Sequence, residues 1–140
     1  MSWLVDTNVL SELTRRAPDR RVLDWVAAHA DDLVTAAPVV AELLYGVARL
    51  PAGRRRDALS LAVVTLLEPF RGGRVLPFDE HAAVELAAVR VARERRGMPV
   101  GDVDLMIAAT CRAHDVPLVT RNVQDFVGTG VQVVDPWQGP

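Results

Sequence analysis

Short apolar runs alternate with longer stretches of helical periodicity from one end of this chain to the other. That rhythm predicts an α/β fold with a mainly parallel sheet of about five strands, covered by helices on both faces. Residues 3–6 open as a strand, and residues 8–15 and 19–30 follow as helices divided by Pro18. Leu33-Val34-Thr35-Ala36 is a second strand, and Pro38 suits the first turn of a helix reaching about Leu50. Pro51-Ala52-Gly53 breaks that helix, and residues 54–70 form the next. Gly72 and Gly73 turn the chain into a third strand, Val75-Leu76-Pro77-Phe78. Asp79 is a good N-cap for a helix through Arg96, which Gly97 and Pro99 stop. Residues 102–114 form a helix whose Leu105–Cys111 stretch carries no charge, so most of its faces are expected to be buried. Leu118-Val119-Thr120 and Val131-Gln132-Val133-Val134 complete the sheet. No repeat or linker divides the chain, and its 140 residues are read as one domain.

Against this apolar pattern four acids stand out. Asp6 ends the first strand, where open α/β sheets place their ligands. It would serve equally as the N-cap of the following helix, unless Thr7 and Asn8 take that role. Glu42 falls on the border of an apolar helix face made by Val39, Val40, Leu43, Leu44 and Val47. Its bland use is a solvated flanking acid near Arg49; Gly46, one turn on, clears space for a cleft position instead. Asp102 and Asp104 open the uncharged helix, and both gain from its positive end. Asp102 is read as the cap, whereas Asp104, beside apolar residues, must pair, bind a cation or stay protonated. Asp125 follows the fourth strand closely, with Thr120 and Asn122 nearer the strand end. It is a ligand, another cap, or a partner for Arg121.

If these acids converge, they need a counter-charge. Two carboxylates about 4 Å apart repel by roughly 4 kcal/mol at an effective dielectric near 20, and without a cation one would take up a proton. Mg²⁺ or Mn²⁺ fits such hard oxygen donors. Zinc fits poorly, because His29, His81 and His114 are scattered and no cysteine pair accompanies them.

Charge refines this picture. All 16 basic residues are arginine, and the net charge is −2. Setting the four candidates aside leaves 14 of the 18 acids against 16 arginines, a balance of +2, so a nucleic-acid partner is electrostatically permitted. Arg54–Arg56 and Arg93–Arg96 are candidates to track phosphates, or simply solvated helix ends. The lone Cys111 makes no internal disulfide, no apolar run approaches the roughly 18 residues of a membrane helix, and Asp6 interrupts any signal-peptide core. A cytoplasmic location is the expectation.

The motifs also resemble a known family. Val5-Asp6-Thr7-Asn8-Val9-Leu10 is similar to the opening of a PIN domain. Ala41-Glu42-Leu43-Leu44-Tyr45-Gly46-Val47-Ala48-Arg49-Leu50-Pro51 resembles the second-acid helix of VapC-type toxins, and Asp104-Leu105-Met106-Ile107-Ala108-Ala109 the third-acid helix. Thr120 to Phe126, with Gly128-Thr129-Gly130 and Asp135-Pro136-Trp137, resembles the closing segment of that branch. The resemblance spans nearly the whole chain. It implies a three-layer α/β/α PIN fold, Mg²⁺- or Mn²⁺-dependent RNA cleavage, a homodimer and a cognate VapB-like antitoxin. Carried over by position, Asp6, Glu42 and Asp104 are the core acids and metal ligands. The fourth is Asp125 or, as a neutral substitute, Asn122. Thr7 and Thr120 are candidates to orient the attacking water.

Two rival classes fare worse. Phospho-accepting receivers and haloacid-dehalogenase-type phosphatases use an active-site lysine, and this chain has none; Asn8 also stands where the second phosphatase aspartate belongs. The alternative that survives is a PIN-like module that binds RNA or protein without cutting.

Overall fold

A computed structural model describes residues 1–139. The five strands are β1 (Trp3–Val5), β2 (Leu33–Ala36), β3 (Val75–Leu76), β4 (Leu118–Val119) and β5 (Val133–Val134). The helices are α1 (Thr7–Leu13), α2 (Arg20–Ala28), α3 (Ala37–Ala48), α4 (Arg54–Leu67), α5 (Glu80–Arg95) and α6 (Asp102–His114). A 3-10 turn, Val123–Phe126, follows β4, and another, Pro136–Gln138, follows β5.

The strands are all parallel, in the order β3-β2-β1-β4-β5. Every residue of β2 is buried, as both faces of a covered parallel sheet require. Leu4, Val5, Leu118 and Val119 fill the centre of the sheet, and Val39, Ile107 and Ala108 press on it from α3 and α6. The uncharged run of α6 is buried as expected, from Leu105 through Cys111 with only Met106 partly open.

The expected elements are present, most of them a residue or two shorter. Pro38 sits in the first turn of α3, and the Asp79 side chain caps α5 by accepting from the Ala82 amide at 3.0 Å. The apolar face expected of α3 is narrower than its sequence suggests. Val39, Leu43 and Val47 are buried, but Leu44 is 50% exposed. Hydrophobicity cannot tell which edge of such a stripe a neighbouring element covers.

Strand order determines where a site forms. From β1 the chain winds outward through β2 to β3, then returns to the other side of β1 for β4 and β5. The carboxyl ends of β1 and β4 therefore flank the point where the winding reverses, which opens a crevice between diverging connections. Among the described residues, no helix is long and apolar enough to cross a membrane.

Candidate active site

Asp6 leaves β1 directly into that crevice and is 3% exposed. One carboxylate oxygen caps α1, accepting from the Thr7 amide at 2.7 Å. The other accepts from the Thr120 hydroxyl at 2.8 Å and the Asn8 side-chain amide at 3.3 Å. Capping and facing the cleft are therefore not alternatives, because each occupies one oxygen. Thr7 and Asn8 do not relieve Asp6 of the cap. The Thr7 hydroxyl instead donates to Glu42 Oε1 at 2.6 Å, linking α1 to α3.

Asn8 closes the far side of the crevice. Its amide nitrogen donates to Thr120 Oγ1 at 2.9 Å and its oxygen accepts the Arg121 amide at 3.1 Å. Thr120, fully buried, also accepts the Asn122 amide at 3.1 Å. One hydroxyl thus ties Asp6, Asn8 and the segment leaving β4. Asn8 is the site residue that sequence reasoning missed. Its signal was adjacency to Asp6, but only the β1–β4 pairing reveals its partners.

Asp104 lies in the first turn of α6, half-buried, and its carboxylate has no hydrogen-bond donor among the described residues. Burial first, then the fields of Asp6, Asp125 and Glu42, raise its pKa to about 6. Asp6 is raised above its ordinary value as well, chiefly by burial. The Thr120 hydroxyl and Thr7 amide pull it back down, and Glu42 and Asp125 add to the rise. Asp6, Glu42, Asp104 and Asp125 thus occupy one electrostatic neighbourhood, contributed by β1, α3, α6 and the turn after β4.

None of the four forms an ion pair among the described residues. Nor are any three His, Cys, Asp or Glu side chains there drawn closely enough together to hold an ion as placed. The donor set nevertheless fits a hard divalent cation. It is all carboxylate, it lacks an arginine or lysine to neutralise it, and Asp6 and Asp104 are shifted in the direction that a cation would reverse.

The other candidates separate cleanly. Asp102 does not cap α6. Gly101 occupies the cap position, with extended backbone and no side chain to offer, while Asp102 is exposed and pairs with Arg90. Asp125 neither caps a helix nor pairs with Arg121, whose guanidinium lies over the Trp137 ring at 5.0 Å. The Asn122 side chain is not hydrogen-bonded among the described residues and is exposed, one turn from Asp125. Glu12 is buried yet stands apart from the cluster. It accepts the Asp19 amide at 2.8 Å and pairs with Arg15, fastening the turn between α1 and α2.

Arg93 departs from both of its expected uses, because it is neither solvated nor free to meet a phosphate. Only 3% exposed, it donates from α5 to the carbonyls of Gln124 and Val127, the turn that carries Asp125. Next along, Gly128 has φ +77° and passes so close to Arg96 that a Cβ would come within 2.7 Å of that side chain. Arg112 then donates to the Thr129 carbonyl at 3.0 Å. Arginines of α5 and α6 therefore hold the segment behind Asp125.

Residues 3–127 match the PIN domain family. A VapC ribonuclease of Sinorhizobium fredii is 38% identical over 136 residues, covering 96% of this chain and 97% of that protein. The toxin FitB of Neisseria gonorrhoeae is 36% identical over 135 residues, covering 96% of this chain and 97% of its own. A crystal structure of FitAcB from the same organism superposes with a TM-score of 0.88 at 36% identity, over 96% of this chain and 98% of that one. With a parallel five-stranded sheet of matching architecture and a family match over most of its length, the chain belongs to the PIN domain family.

Proposed function

We propose that this protein is a Mg²⁺- or Mn²⁺-dependent endoribonuclease and the toxin of a type II toxin–antitoxin pair. The observation that carries the reading is the shared field of Asp6, Glu42, Asp104 and Asp125 at the reversal point of the sheet. Relatives bearing the names VapC ribonuclease, and more distantly tRNA(fMet)-specific endonuclease, favour RNA as the substrate.

Asp6, Glu42, Asp104 and Asp125 are the residues that would hold the cation. When bound, it would lower the pKa of a water and steady charge on the departing oxygen. The chain's own groups do the rest. Thr120 and Asn8 fix one Asp6 oxygen, and the α1 amide fixes the other, so that carboxylate has little rotational freedom. Thr7 orients Glu42, and with Thr120 it is a candidate to align the attacking water. No side chain is needed as a covalent nucleophile. Between the two candidates for the fourth ligand, the field that Asp125 exerts on Asp6 and Asp104 favours Asp125 over Asn122.

The partners follow from the same kinship. Relatives bear the names VapC ribonuclease and toxin FitB, and a related structure holds FitAB bound to a DNA fragment; a VapB-like antitoxin, with its gene immediately upstream, is the partner this kinship leads us to expect. A homodimer and a cytoplasmic location complete the proposal. The test is cleavage of total RNA by purified protein. Cutting should require Mg²⁺ or Mn²⁺, stop with EDTA, and be lost in Asp6→Asn and Asp104→Asn. Full activity in Asp104→Asn would refute the site. No cleavage of any RNA with either metal would refute the nuclease and leave a binding module.

A further inference from the structure

A second cleft, of about 580 Å³, opens beside the acids and shares Asp125 with them. Its other walls are Arg121, Asn122, Val123 and Gln124 from the segment after β4, and Asp135 and Gln138 from the turn after β5. We propose that this cleft is a subsite for the unpaired ribonucleotide adjoining the scissile phosphate. In it, Arg121 pairs with the phosphate, and the side-chain amides of Asn122, Gln124 and Gln138 meet the base edge. The assignment rests on the nuclease reading above and deepens it.

Arg121 is held ready for such a role. Its backbone amide is tied to Asn8, and its guanidinium rests on Trp137, a ring only 4% exposed. Trp137 is fixed in turn through its own amide, which donates to Asp135 at 2.9 Å. The guanidinium is exposed and has no carboxylate at ion-pair distance among the described residues, so its charge is not spent within the fold. A stacked guanidinium keeps its donor fork pre-organised for phosphate, and its outer plane is also a stacking surface for a splayed-out base.

The two acids of the cleft are committed elsewhere. Asp135 accepts from the Trp137 amide and from Gln138, and Asp125 faces the other carboxylates. Three side-chain amides line the cleft; those of Asn122 and Gln124 make no hydrogen bond among the described residues and Gln138 spends one donor on Asp135, leaving donors and acceptors of the kind that read base edges in single strands. The shared Asp125 places a nucleotide here next to the reacting position.

The experiment measures single-stranded RNA binding by fluorescence anisotropy, on an Asp104→Asn background so that binding is read without cutting. Arg121→Gln should weaken binding about 5–10-fold and reduce the salt slope by about 0.7, the loss of one single-strand phosphate contact. Arg121→Lys should restore the slope but only part of the affinity, because it returns the charge without the planar fork. In otherwise wild-type protein, Gln124→Ala with Gln138→Ala should keep the salt slope and change which nucleotide flanks the cut. An unchanged affinity and slope in Arg121→Gln, with unchanged cleavage positions in the amide variant, would overturn the subsite while leaving the nuclease intact. A wild-type protein that neither binds nor cuts RNA would overturn both.

Discussion

Asp104→Asn should make the metal-free protein more stable while removing its activity. The Asp104 carboxyl is pushed from an ordinary 3.8 up to about 6, by burial and by three neighbouring carboxylates. A rise of about two pH units corresponds to roughly 3 kcal/mol at about 1.36 kcal/mol per unit. Because the group is only half-buried, solvent screening brings the expected figure to about 1–2 kcal/mol. The sign is set by linkage. Below pH 3.8 the carboxyl is protonated both folded and unfolded and imposes no penalty. Between 3.8 and about 6 the unfolded chain ionises first, so stability falls as pH rises, and above about 6 the penalty is complete. Asparagine copies the shape of the protonated acid without titrating. Thermal melts in EDTA should therefore show the variant about 3–8 °C more stable than wild type at pH 7.5, with the two converging at pH 4. Added Mn²⁺ should raise the wild-type midpoint more than that of the variant. A variant less stable than wild type at pH 7.5, or a difference that does not shrink toward pH 4, would refute the electrostatic argument.

Three further substitutions probe the supports. Thr120→Val removes the hydroxyl shared by Asp6, Asn8 and the Asn122 amide; urea unfolding should show a loss of about 1–3 kcal/mol, and RNA cleavage should slow. Gly128→Ala places a side chain at φ +77° against Arg96; the expected cost is about 1–2 kcal/mol by the same assay, and an unaltered midpoint would mean the turn is not strained. Asp102→Ala breaks only an exposed pair with Arg90; cleavage rates should hold at the wild-type level and stability within about 1 kcal/mol, in contrast to its neighbour Asp104.

How far the site was legible depends on which interactions make it. Period and punctuation located the strands and helices, because Pro38, Asp79, Gly97 and the apolar runs act locally. Asp6, Glu42, Asp104 and Asp125 were readable as acids misplaced in apolar context. Their common field needed the strand order, since β1 and β4 are far apart in sequence and adjacent in the sheet. Residues whose roles are purely tertiary stayed hidden. Asn8 looks like a capping residue until Thr120 lies beside it. Arg93 looks like a surface cation until the Gln124–Val127 turn covers it. Asp102 was misread because a capping preference by residue type favours aspartate, whereas the backbone placed Gly101 at the cap.

Asp6, Glu42, Asp104 and Asp125 are proposed to hold one hard divalent cation jointly. Mn²⁺ binding, followed by electron paramagnetic resonance of the free ion, tests it without reference to any RNA. Wild-type protein should bind Mn²⁺ saturably, Mg²⁺ should compete, and Asp6→Asn, Glu42→Gln, Asp104→Asn and Asp125→Asn should each weaken binding by about tenfold or more, while Asp102→Asn leaves it intact. Equal Mn²⁺ affinity in wild type and all four variants would rule out a shared carboxylate site.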